Sequence, residues 1–583
     1  MVAYTSFTSM ALLALAGLGS CGIIEQLQQS PDGWTLLEKD VDPEQPLRLS
    51  FALREPSIDE IRNTLDDPSA PHLTREQALE LRAPDQADVE AVNGWLNKNG
   101  IADGVRENDW VHVHTTVGKA ESLLDMKMHR YDFEGKGAVL RTTAYSVPDE
   151  LEDAVSFVHP IANFMAPKKE LSTITKARSV VSRANPCAQM TTPDCIRRMY
   201  NMPQPAAANA TTKPSNGVRL GVAGFLEEYA NYHDVSTFVS RFSPGTKSKS
   251  SFAVELVHGG QNIQSPAQAG AEAALDVQYT MALGYPADVT YYSTGGRGAQ
   301  LNDSGGATPE EFVDNEPYLE LLEHLLAKPD DELPHVLSFS YADNELSVPK
   351  PYAERVCSMF GLLASRGTTV VAGSGDGGAA GSRNSTCVRY DGSPVAMAVF
   401  PASCPWVTAV GAVSNINNPP TGAEFSGGGF SQYFKRETWQ DSSVSSYETA
   451  LGGRLRGLYN SSMRALPDIS AVGTDFQIVL AQQVVSIAGT SASTPVLAAI
   501  VALIDEARFE AGKKPLGWLN GRLYRPEIAE TLQDVKGGVS QSCTIAGIGM
   551  PGGWPAAQGW DAITGLGVPN NYAKFMQALV DQD

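Results

Sequence analysis

At 583 residues the chain is longer than one ordinary domain, and its 42% of hydrophobic residues can form a large buried core. The formal net charge of -22 argues against a nucleic-acid partner, because proteins that bind nucleic acids carry basic surfaces. An acidic surface also favours solubility.

The N-terminus has the pattern of a secretory signal. Met10–Gly19 is an apolar run followed by small residues, and it is too short to span a membrane. Leu18–Cys21 is loosely similar to a bacterial lipoprotein cleavage box, although no Lys or Arg precedes the apolar run. No later segment reaches about 18 uninterrupted apolar residues. We therefore expect residues 1–20 to be a signal peptide, and the mature protein to be extracellular and not bound to a membrane.

The cysteines and glycosylation sequons fit a secreted protein. Of the seven cysteines, Cys21 lies at the expected cleavage region, and the remaining six are consistent with three disulfides. Cys187 and Cys195 are near enough in sequence to close a local loop, whereas the other pairings stay open. Sequons for N-glycosylation occur at Asn209, Asn302, Asn384 and Asn460.

Residues 31 to about 165 have the pattern of an α+β unit. Leu47–Leu53 alternates like a strand, Thr74–Arg82 opens with a capped helix start, and Asp85–Leu96 has helical spacing. Pro167–Arg183 follows as a basic, polar stretch without periodicity, which is typical of an exposed and cleavable linker. We therefore divide the chain into a prodomain (21–167), a cleavable linker (168–190) and a larger domain (191–583), the arrangement of a zymogen.

Strand-like and helical segments alternate in the larger domain. Pro266–Leu283 has the pattern of a helix. Short β-rich runs bounded by glycines occur at Gly217–Phe225, Asp288–Ser293, His335–Ser340, Thr368–Ala372 and Trp406–Val410. The alternation predicts an α/β fold with a mostly parallel sheet and helices on both faces. In such sheets, functional sites gather at the carboxyl ends of the strands.

Two carboxylates stand out in the helical segment. Glu272 and Asp276 are four residues apart and therefore share one helix face, and their neighbours are small or apolar. An ordinary solvated surface pair is the alternative. A pair of like charges in apolar surroundings is more typical of carboxyls with tuned pKa values.

Further acidic residues lie in glycine-rich loops. Asp376 follows a β-run and is flanked by glycines, which permit close backbone approach to a ligand, although a simple tight turn has the same pattern. The Lys and helix of a phosphate-binding loop are absent there. Asp534 and Asp561 lie near several Gly-flanked carbonyls, and all-oxygen ligation suits Ca²⁺.

The candidate nucleophile is Ser491. Ile487–Pro495 joins a strand-like run, Phe476–Ala481, to an apolar run with helical spacing. We expect Pro495 in the first turn of that helix, where a missing N–H costs nothing. Ser491 would then lie at the positive end of a helix dipole, although a plain Ser/Thr-rich helix start is the alternative.

Together these motifs resemble the sedolisin, or serine-carboxyl peptidase, family. The resemblance rests on motifs in the expected order: Glu272 with Asp276, Ser374–Asp376, Phe425–Phe430, Leu466–Ser470, Gly489–Pro495 and Gly559–Asp561. In the N-terminal region, His72–Thr74, Ala83–Pro84 and Trp95–Leu96 resemble a kumamolisin-type prodomain. The similarity covers nearly the whole chain.

The resemblance implies a subtilisin-like α/β fold with a Ser-Glu-Asp triad. Ser491 would attack the scissile carbonyl, Glu272 would take its proton and Asp276 would orient Glu272. Asp376, when protonated, would donate a hydrogen bond to the oxyanion. A carboxylate base works best in acid, because its ordinary pKa is near ~4.

The resemblance also implies one structural Ca²⁺ ion. Asp534 and Asp561 would contribute side chains, and Val535, Ala557 and Gly559 would contribute carbonyls. Many relatives have Gly where this chain has Ala557, and the carbonyl there can serve only if the backbone angles suit an L-residue.

We therefore expect a secreted, acid-active serine-carboxyl peptidase that removes tripeptides from free N-termini of polypeptides. It would be a monomer whose own prodomain acts as intramolecular inhibitor and chaperone. An acid endopeptidase of the same family and an inactive secreted binding homologue are the alternatives. A Ser-His-Asp triad would need a histidine motif, and we expect His258 to be structural instead. A lipase is disfavoured because no Gly-x-Ser-x-Gly surrounds Ser491.

Overall fold

The computed structural model describes most of the chain after the expected signal peptide. The described residues are 21–26, 34–38, 41–55, 57, 60–66, 70–102, 104–133, 138–162, 175–176, 187, 190–205, 215–249, 251–295, 318–382, 387–389, 393–414, 419–545, 548–549 and 552–582. The predicted signal peptide, most of the predicted linker and the sequons at Asn209, Asn302 and Asn384 lie outside them.

The N-terminal unit packs helices on antiparallel strands. Its strands are β1 (Cys21–Gln26), β2 (Trp34–Glu38), β3 (Pro46–Leu53), β4 (Val105–Glu107), β5 (Trp110–Thr116), β6 (His129–Phe133), β7 (Ala138–Arg141), β8 (Ala144–Pro148) and β9 (Val155–His159). Its helices are α1 (Glu60–Asp66), α2 (Arg75–Arg82), α3 (Gln86–Lys98) and α4 (Val117–Leu123). The larger sheet has the order β4-β5-β3-β9. The strand predicted at Leu47–Leu53 and both predicted helices are confirmed, and Thr74 with Gln77 forms a capping box at α2.

The larger unit is built on an eight-stranded sheet in the order β12-β13-β11-β14-β16-β18-β19, with β22 beside β18. These strands are β11 (Arg219–Gly224), β12 (Ala253–Val257), β13 (Asp288–Thr294), β14 (Val336–Phe339), β16 (Thr369–Gly373), β18 (Thr408–Ser414), β19 (Thr421–Gly422) and β22 (Ile469–Val472). All pairs are parallel except β18 with β19. The predicted α/β fold with a mostly parallel sheet is confirmed.

Smaller strands and the helices complete this unit. The strands are β10 (Thr175–Lys176), β15 (Asp343–Asn344), β17 (Val399–Phe400), β20 (Gly429–Lys435), β21 (Met463–Leu466), β23 (Phe476–Leu480), β24 (Gln483–Ile487), β25 (Thr544–Ile545) and β26 (Ile548–Gly549). The helices are α5 (Pro193–Met199), α6 (Tyr232–Phe242), α7 (Ala271–Leu283), α8 (Tyr318–Ala327), α9 (Lys350–Ser365), α10 (Asp441–Leu451), α11 (Thr490–Glu510), α12 (Asn520–Leu523), α13 (Pro526–Ala529) and α14 (Tyr572–Asp581).

Helices cover both faces of the sheet. Along β14, Val336 belongs to the apolar core shared with α7 and α11, whereas Leu337 belongs to the core shared with α8 and α9. This alternation follows from the two-residue period of a strand. α11 is apolar and long enough to cross a membrane by composition, but 89% of its most apolar window is buried inside the fold, as expected of a core helix.

Two predicted helix boundaries differ from the structure. The segment predicted as one helix over Pro266–Leu283 is a short 3₁₀ turn, Pro266–Gln268, followed by α7 from Ala271, with Gly270 as the N-cap. α11 begins at Thr490, so Pro495 lies in its second turn rather than its first. The missing N–H of Pro495 therefore removes the helical hydrogen bond to the carbonyl of Ser491, four residues earlier.

The disulfides agree with the prediction of three pairs. Cys187–Cys195 closes the expected local loop, and the remaining bonds are Cys357–Cys404 and Cys387–Cys543. Both of the latter join segments that are distant in sequence, so no spacing argument could assign them.

The N-terminal unit packs on the layer formed by α8 and α9. Ile61, Trp110 and Phe157 share an apolar cluster with residues of these helices. A buried ion cluster crosses the same interface and consists of Glu55, Arg82 and Asp109 from the N-terminal unit with Glu323 and Arg355 from the larger one. The interface is therefore an extension of the hydrophobic core, not a loose surface contact.

Candidate active site

Ser491 lies at the N-terminus of α11, as predicted. β24 ends at Ile487 and α11 begins at Thr490, so the nucleophile candidate occupies the second helical position. Its side chain is buried, and its hydroxyl forms a hydrogen bond with the side chain of Glu272. The Oγ also lies 3.4 Å from the carbonyl oxygen of Ser340. A serine hydroxyl that shares a hydrogen bond with a carboxylate can lose its proton to it.

Glu272 and Asp276 are both buried on the face of α7 that meets α11. Burial raises the pKa of Glu272 well above its usual range, and the neighbouring charges of Asp276 and Glu228 raise it further. Burial likewise raises the pKa of Asp276, opposed by a hydrogen bond from Ser340. Two carboxylates four residues apart on one buried helix repel each other when both are ionised. The pair therefore tends to hold one proton between its carboxyls.

Asp376 approaches the same helix terminus from the loop after β16. Its Oδ1 accepts hydrogen bonds from the backbone N–H of Thr490, at 2.7 Å, and from the Thr490 hydroxyl, at 3.0 Å. The turn depends on Gly375, which has a φ of +100° and whose added Cβ would lie 2.8 Å from the carbonyl oxygen of Gly381. Asp376 is thus bonded to Thr490, the residue that precedes the nucleophile candidate Ser491.

The predicted residues therefore meet at one place. Asp376 follows β16, and Ser340 directly follows β14, so the site lies at the carboxyl ends of parallel strands, as expected. His258 does not belong to it, because its Nδ1 forms a hydrogen bond of 3.3 Å with the carbonyl of Gly295. The expectation of a structural His258 agrees with this contact.

Sequence reasoning missed Glu228 and Ser340. Glu228 lies after β11, is buried, and accepts a hydrogen bond of 3.1 Å from the backbone N–H of Glu272. Ser340 donates to Asp276 Oδ1 at 2.8 Å. Glu228 follows the predicted strand Gly217–Phe225, and Ser340 is the last residue of the predicted strand His335–Ser340. A position at the carboxyl end of a parallel strand is the one signal that points to them.

A groove opens beside Glu228. It has a volume of about 460 Å³ and is lined by Glu227, Tyr229, Gly259, Gly260, Gln261, Gln268, Ser293, Thr294 and Gly295. An added Cβ at Gly260 would lie 1.9 Å from the carbonyl oxygen of Ser293, so close backbone packing requires glycine there. Three of the nine lining residues are glycines, which leave their backbone open to a ligand, and this suits binding of an extended peptide by main-chain hydrogen bonds.

The predicted calcium ligands also lie together. The backbone N–H of Gly559 donates to Asp534 Oδ2 at 3.1 Å, and that of Ala557 donates to Asp561 Oδ2 at 3.1 Å. Asp534 Oδ1 is buried and, among the described residues, has no hydrogen-bond partner. The described residues contain no group of three or more His, Cys, Asp or Glu side chains that could hold a metal. The carbonyl ligands would therefore have to complete this site.

The chain is similar to known peptidases over nearly its whole length. Residues 32–164 match the family described as Pro-kumamolisin, activation domain, and residues 287–537 match the Subtilase family. Tripeptidyl-peptidase SED2 of Arthroderma otae is 35% identical over 577 residues, which cover 94% of each chain. Tripeptidyl-peptidase sed4 of Aspergillus fumigatus is 36% identical over 594 residues, which cover 96% of each chain. The solved structure of Pseudomonas sedolisin with pseudo-iodotyrostatin covers 67% of this chain and 98% of its own, at 20% identity and a TM-score of 0.49.

The fold and the matched families define a serine peptidase of the subtilisin-like class, preceded by an activation domain that marks a zymogen. More specifically, the chain belongs to the sedolisin, or serine-carboxyl peptidase, family. The family resemblance found in the sequence motifs is thereby confirmed.

Proposed function

We propose that this chain is the zymogen of a secreted, acid-active tripeptidyl-peptidase with Ser491, Glu272, Asp276 and Asp376 as its catalytic groups. The observation that carries the proposal is the hydrogen bond between Ser491 and the buried carboxyl of Glu272, where a subtilisin would have histidine. The substrate class follows from relatives that are named tripeptidyl-peptidases and match over nearly their full length.

Acylation begins when Ser491 Oγ attacks the scissile carbonyl carbon and its proton passes to Glu272. Glu272 then returns that proton to the leaving amine as the C–N bond breaks, which leaves an acyl-enzyme. Water attacks the ester in the second half of the reaction, with Glu272 again taking and returning the proton. Asp276 keeps Glu272 oriented towards the serine.

The carboxyl group of Asp376 stabilises the oxyanion. Asp376 is held at the start of α11 by Thr490, so a protonated oxygen of its carboxyl can donate to the developing negative charge. The dipole of α11 favours negative charge at the same end. This role requires acid, since an ordinary aspartic acid is protonated only below a pH of about 4.

One structural Ca²⁺ fits the cluster at Asp534 and Asp561. Asp534 Oδ1 is a buried acceptor without a donor, and no hydrogen bond from a described residue reaches the carbonyls of Val535, Ala557 or Gly559. Ala557 has no positive φ, so its carbonyl is available without strain despite the absence of glycine. When bound, the ion supplies charge neutralisation and ties two loops together.

The activation domain acts as an intramolecular inhibitor, and two residues of its linker pair with β24, the strand that precedes α11. Thr175 pairs with Ser486 and Lys176 with Val485, so these linker residues form an antiparallel strand on β24, immediately before α11. The globular part of the domain meets α8 and α9 instead. Cleavage within 168–190 would therefore separate the activation domain from the chain that carries Ser491.

The test compares two peptides from about pH 3 to about pH 8, the range over which carboxyl and histidine groups titrate. One is a tripeptide amide with a free amino group, and the other is an acetylated, extended version. Wild type is compared with Ser491→Ala and Glu272→Ala. We expect acid activity on the free peptide alone and loss of that activity in both variants.

The remaining outcomes separate the alternatives. Cleavage of both peptides identifies an endopeptidase. A processed wild type that is inactive throughout the range supports the binding homologue. Full activity of Glu272→Ala contradicts the carboxylate mechanism.

A further inference from the structure

Ser340 lies between the carboxyl pair and the nucleophile. It follows β14 directly and is buried at the point where this strand meets α11. We propose that Ser340 is a positioning residue. Its hydroxyl holds the carboxylate of Asp276 in place while Asp276 is ionised, and it donates to the backbone carbonyl of Ser491 instead when Asp276 is protonated. The inference rests on the catalytic roles proposed above.

The hydroxyl of Ser340 has two acceptors within reach. It donates to Asp276 Oδ1 at 2.8 Å, and it lies 3.5 Å from the carbonyl oxygen of Ser491. A hydroxyl has only one proton, so it can donate to one of these at a time. The shorter bond to a carboxylate is the stronger one while Asp276 is ionised.

The second acceptor exists because of Pro495. In a regular helix, the N–H of residue 495 would donate to the carbonyl of Ser491, but proline has no N–H. The carbonyl of Ser491 therefore lacks its helical donor and faces Ser340 instead. In return, the hydroxyl of Ser491 approaches the carbonyl of Ser340 at 3.4 Å. Ser340 thus contacts the nucleophile residue through both its side chain and its backbone.

Protonation of Asp276 changes which bond Ser340 makes. When Asp276 carries the proton on Oδ1, it becomes the donor and Ser340 Oγ the acceptor. The hydroxyl proton of Ser340 is then free to turn to the carbonyl of Ser491. The proton count is unchanged apart from the one gained by Asp276, and the start of α11 gains a hydrogen bond when the pair is protonated.

The electrostatic surroundings make this hydroxyl important. The neighbours of the pair are Glu228 and Asp376, both carboxyls, and the phenols of Tyr291 and Tyr341, whose pKa values burial raises well above their usual range. No cation appears among the groups that shift the pKa of Glu272 or Asp276. The hydrogen bond from the Ser340 hydroxyl lowers the pKa of Asp276.

The experiment is the pH profile of kcat/KM for processed wild type, Ser340→Ala and Ser340→Cys. Loss of a hydrogen bond to a charged group raises the pKa of that group by about one unit, so we expect the acid limb of Ser340→Ala to move up by ~1 pH unit. A thiol is a weak donor, so Ser340→Cys should shift in the same direction by less. At a fixed pH below the acid limb, the shift of ~1 pH unit lowers kcat/KM of Ser340→Ala about tenfold.

Ser338→Ala is the matched control. Ser338 lies two residues earlier on the same strand, is equally buried, and its hydroxyl has no hydrogen-bond partner among the described residues. Its profile should coincide with that of wild type. Thermal unfolding of every variant checks the fold, and Ser340→Cys alone decides the question if Ser340→Ala does not fold.

Each result has one meaning. A wild-type profile in folded Ser340→Ala or in Ser340→Cys overturns the inference, and so does an equal shift in Ser338→Ala. Activity retained in Ser491→Ala would instead contradict the proposed function, so the two failures are distinguishable.

Discussion

The imidazole of His72 lies directly against the backbone of Gly367, so that an added Cβ at Gly367 would meet His72 Nδ1 at 2.5 Å. The ring comes from the activation domain, and Gly367 follows α9 of the peptidase unit. Burial lowers the pKa of His72 to about 4, and the nearby charges of Lys514, Arg522 and Arg508 contribute to this shift. His72 therefore docks in the neutral form.

Acid should weaken this docking. A histidine whose docked pKa lies below its free value of 6.5 favours docking above that pH, and the contribution is lost as the pH falls from 6.5 towards about 4. The full loss is about 3 kcal/mol.

In a Ser491→Ala background, which prevents self-processing, His72→Gln should reduce the acid-dependent fall of the thermal midpoint between these pH values. His114→Gln, an exposed histidine of the same domain, is the control. Identical pH dependence in the parent and His72→Gln would refute the prediction.

Arg355→Met should destabilise the zymogen. Arg355 forms ion pairs with Glu55, at 3.2 Å, and with Asp109, and it also donates to the carbonyl of Leu53. Its removal leaves buried carboxylates without one of their cations, which costs about 3–5 kcal/mol. Calorimetry should show a lower thermal midpoint. Lys350→Met on the same helix removes only an exposed pair with Glu354, worth at most ~1 kcal/mol, and equal midpoints for the two variants would contradict the argument.

Asp376→Asn and Asp376→Ala should differ in their alkaline limbs. An asparagine amide donates a hydrogen bond at every pH, and its oxygen can still accept from Thr490. We therefore expect Asp376→Asn to keep part of kcat and to lose the alkaline limb that reflects ionisation of Asp376. Asp376→Ala should lower kcat by about 10²–10³. An unchanged alkaline limb in Asp376→Asn would show that another group sets it.

Lys536→Met should strengthen calcium binding. Lys536 Nζ lies 3.6 Å from Asp534 Oδ2 and competes with a cation for this carboxylate. The side chain is largely exposed, so the competing pair is worth at most ~1 kcal/mol, or about fivefold in Kd. Calorimetric titration of the metal-free protein measures this change, and Asp534→Ala should abolish the heat of binding. Calcium binding by Asp534→Ala with wild-type affinity would place the ion elsewhere.

Much of the fold follows from short-range patterns. The strands at Asp288–Ser293 and His335–Ser340 were visible because a buried parallel strand is a short apolar run bounded by glycines. Local rules also placed Ser491 at a helix start and Glu272 on one face with Asp276. Helix ends were less predictable, since Gly270 caps α7 in the middle of an apparently continuous pattern.

The rest of the site depends on contacts between distant segments. Ser340 touches Asp276 across 64 positions of the sequence, and Glu228 reaches Glu272 across 44. Neither residue has a distinctive local pattern, because a serine or a glutamate after a strand is common. Their importance arises only when parallel strands bring their carboxyl ends to one edge of the sheet.

The two long-range disulfides form overlapping covalent rings. Cys357–Cys404 encloses Asp376, and Cys387–Cys543 encloses Ser491. Because the rings share residues 387–404, a single cut at any peptide bond between Cys357 and Cys543 leaves both fragments joined. If another copy of this peptidase cuts the chain once between Cys357 and Cys543, the peptidase unit therefore stays covalently in one piece.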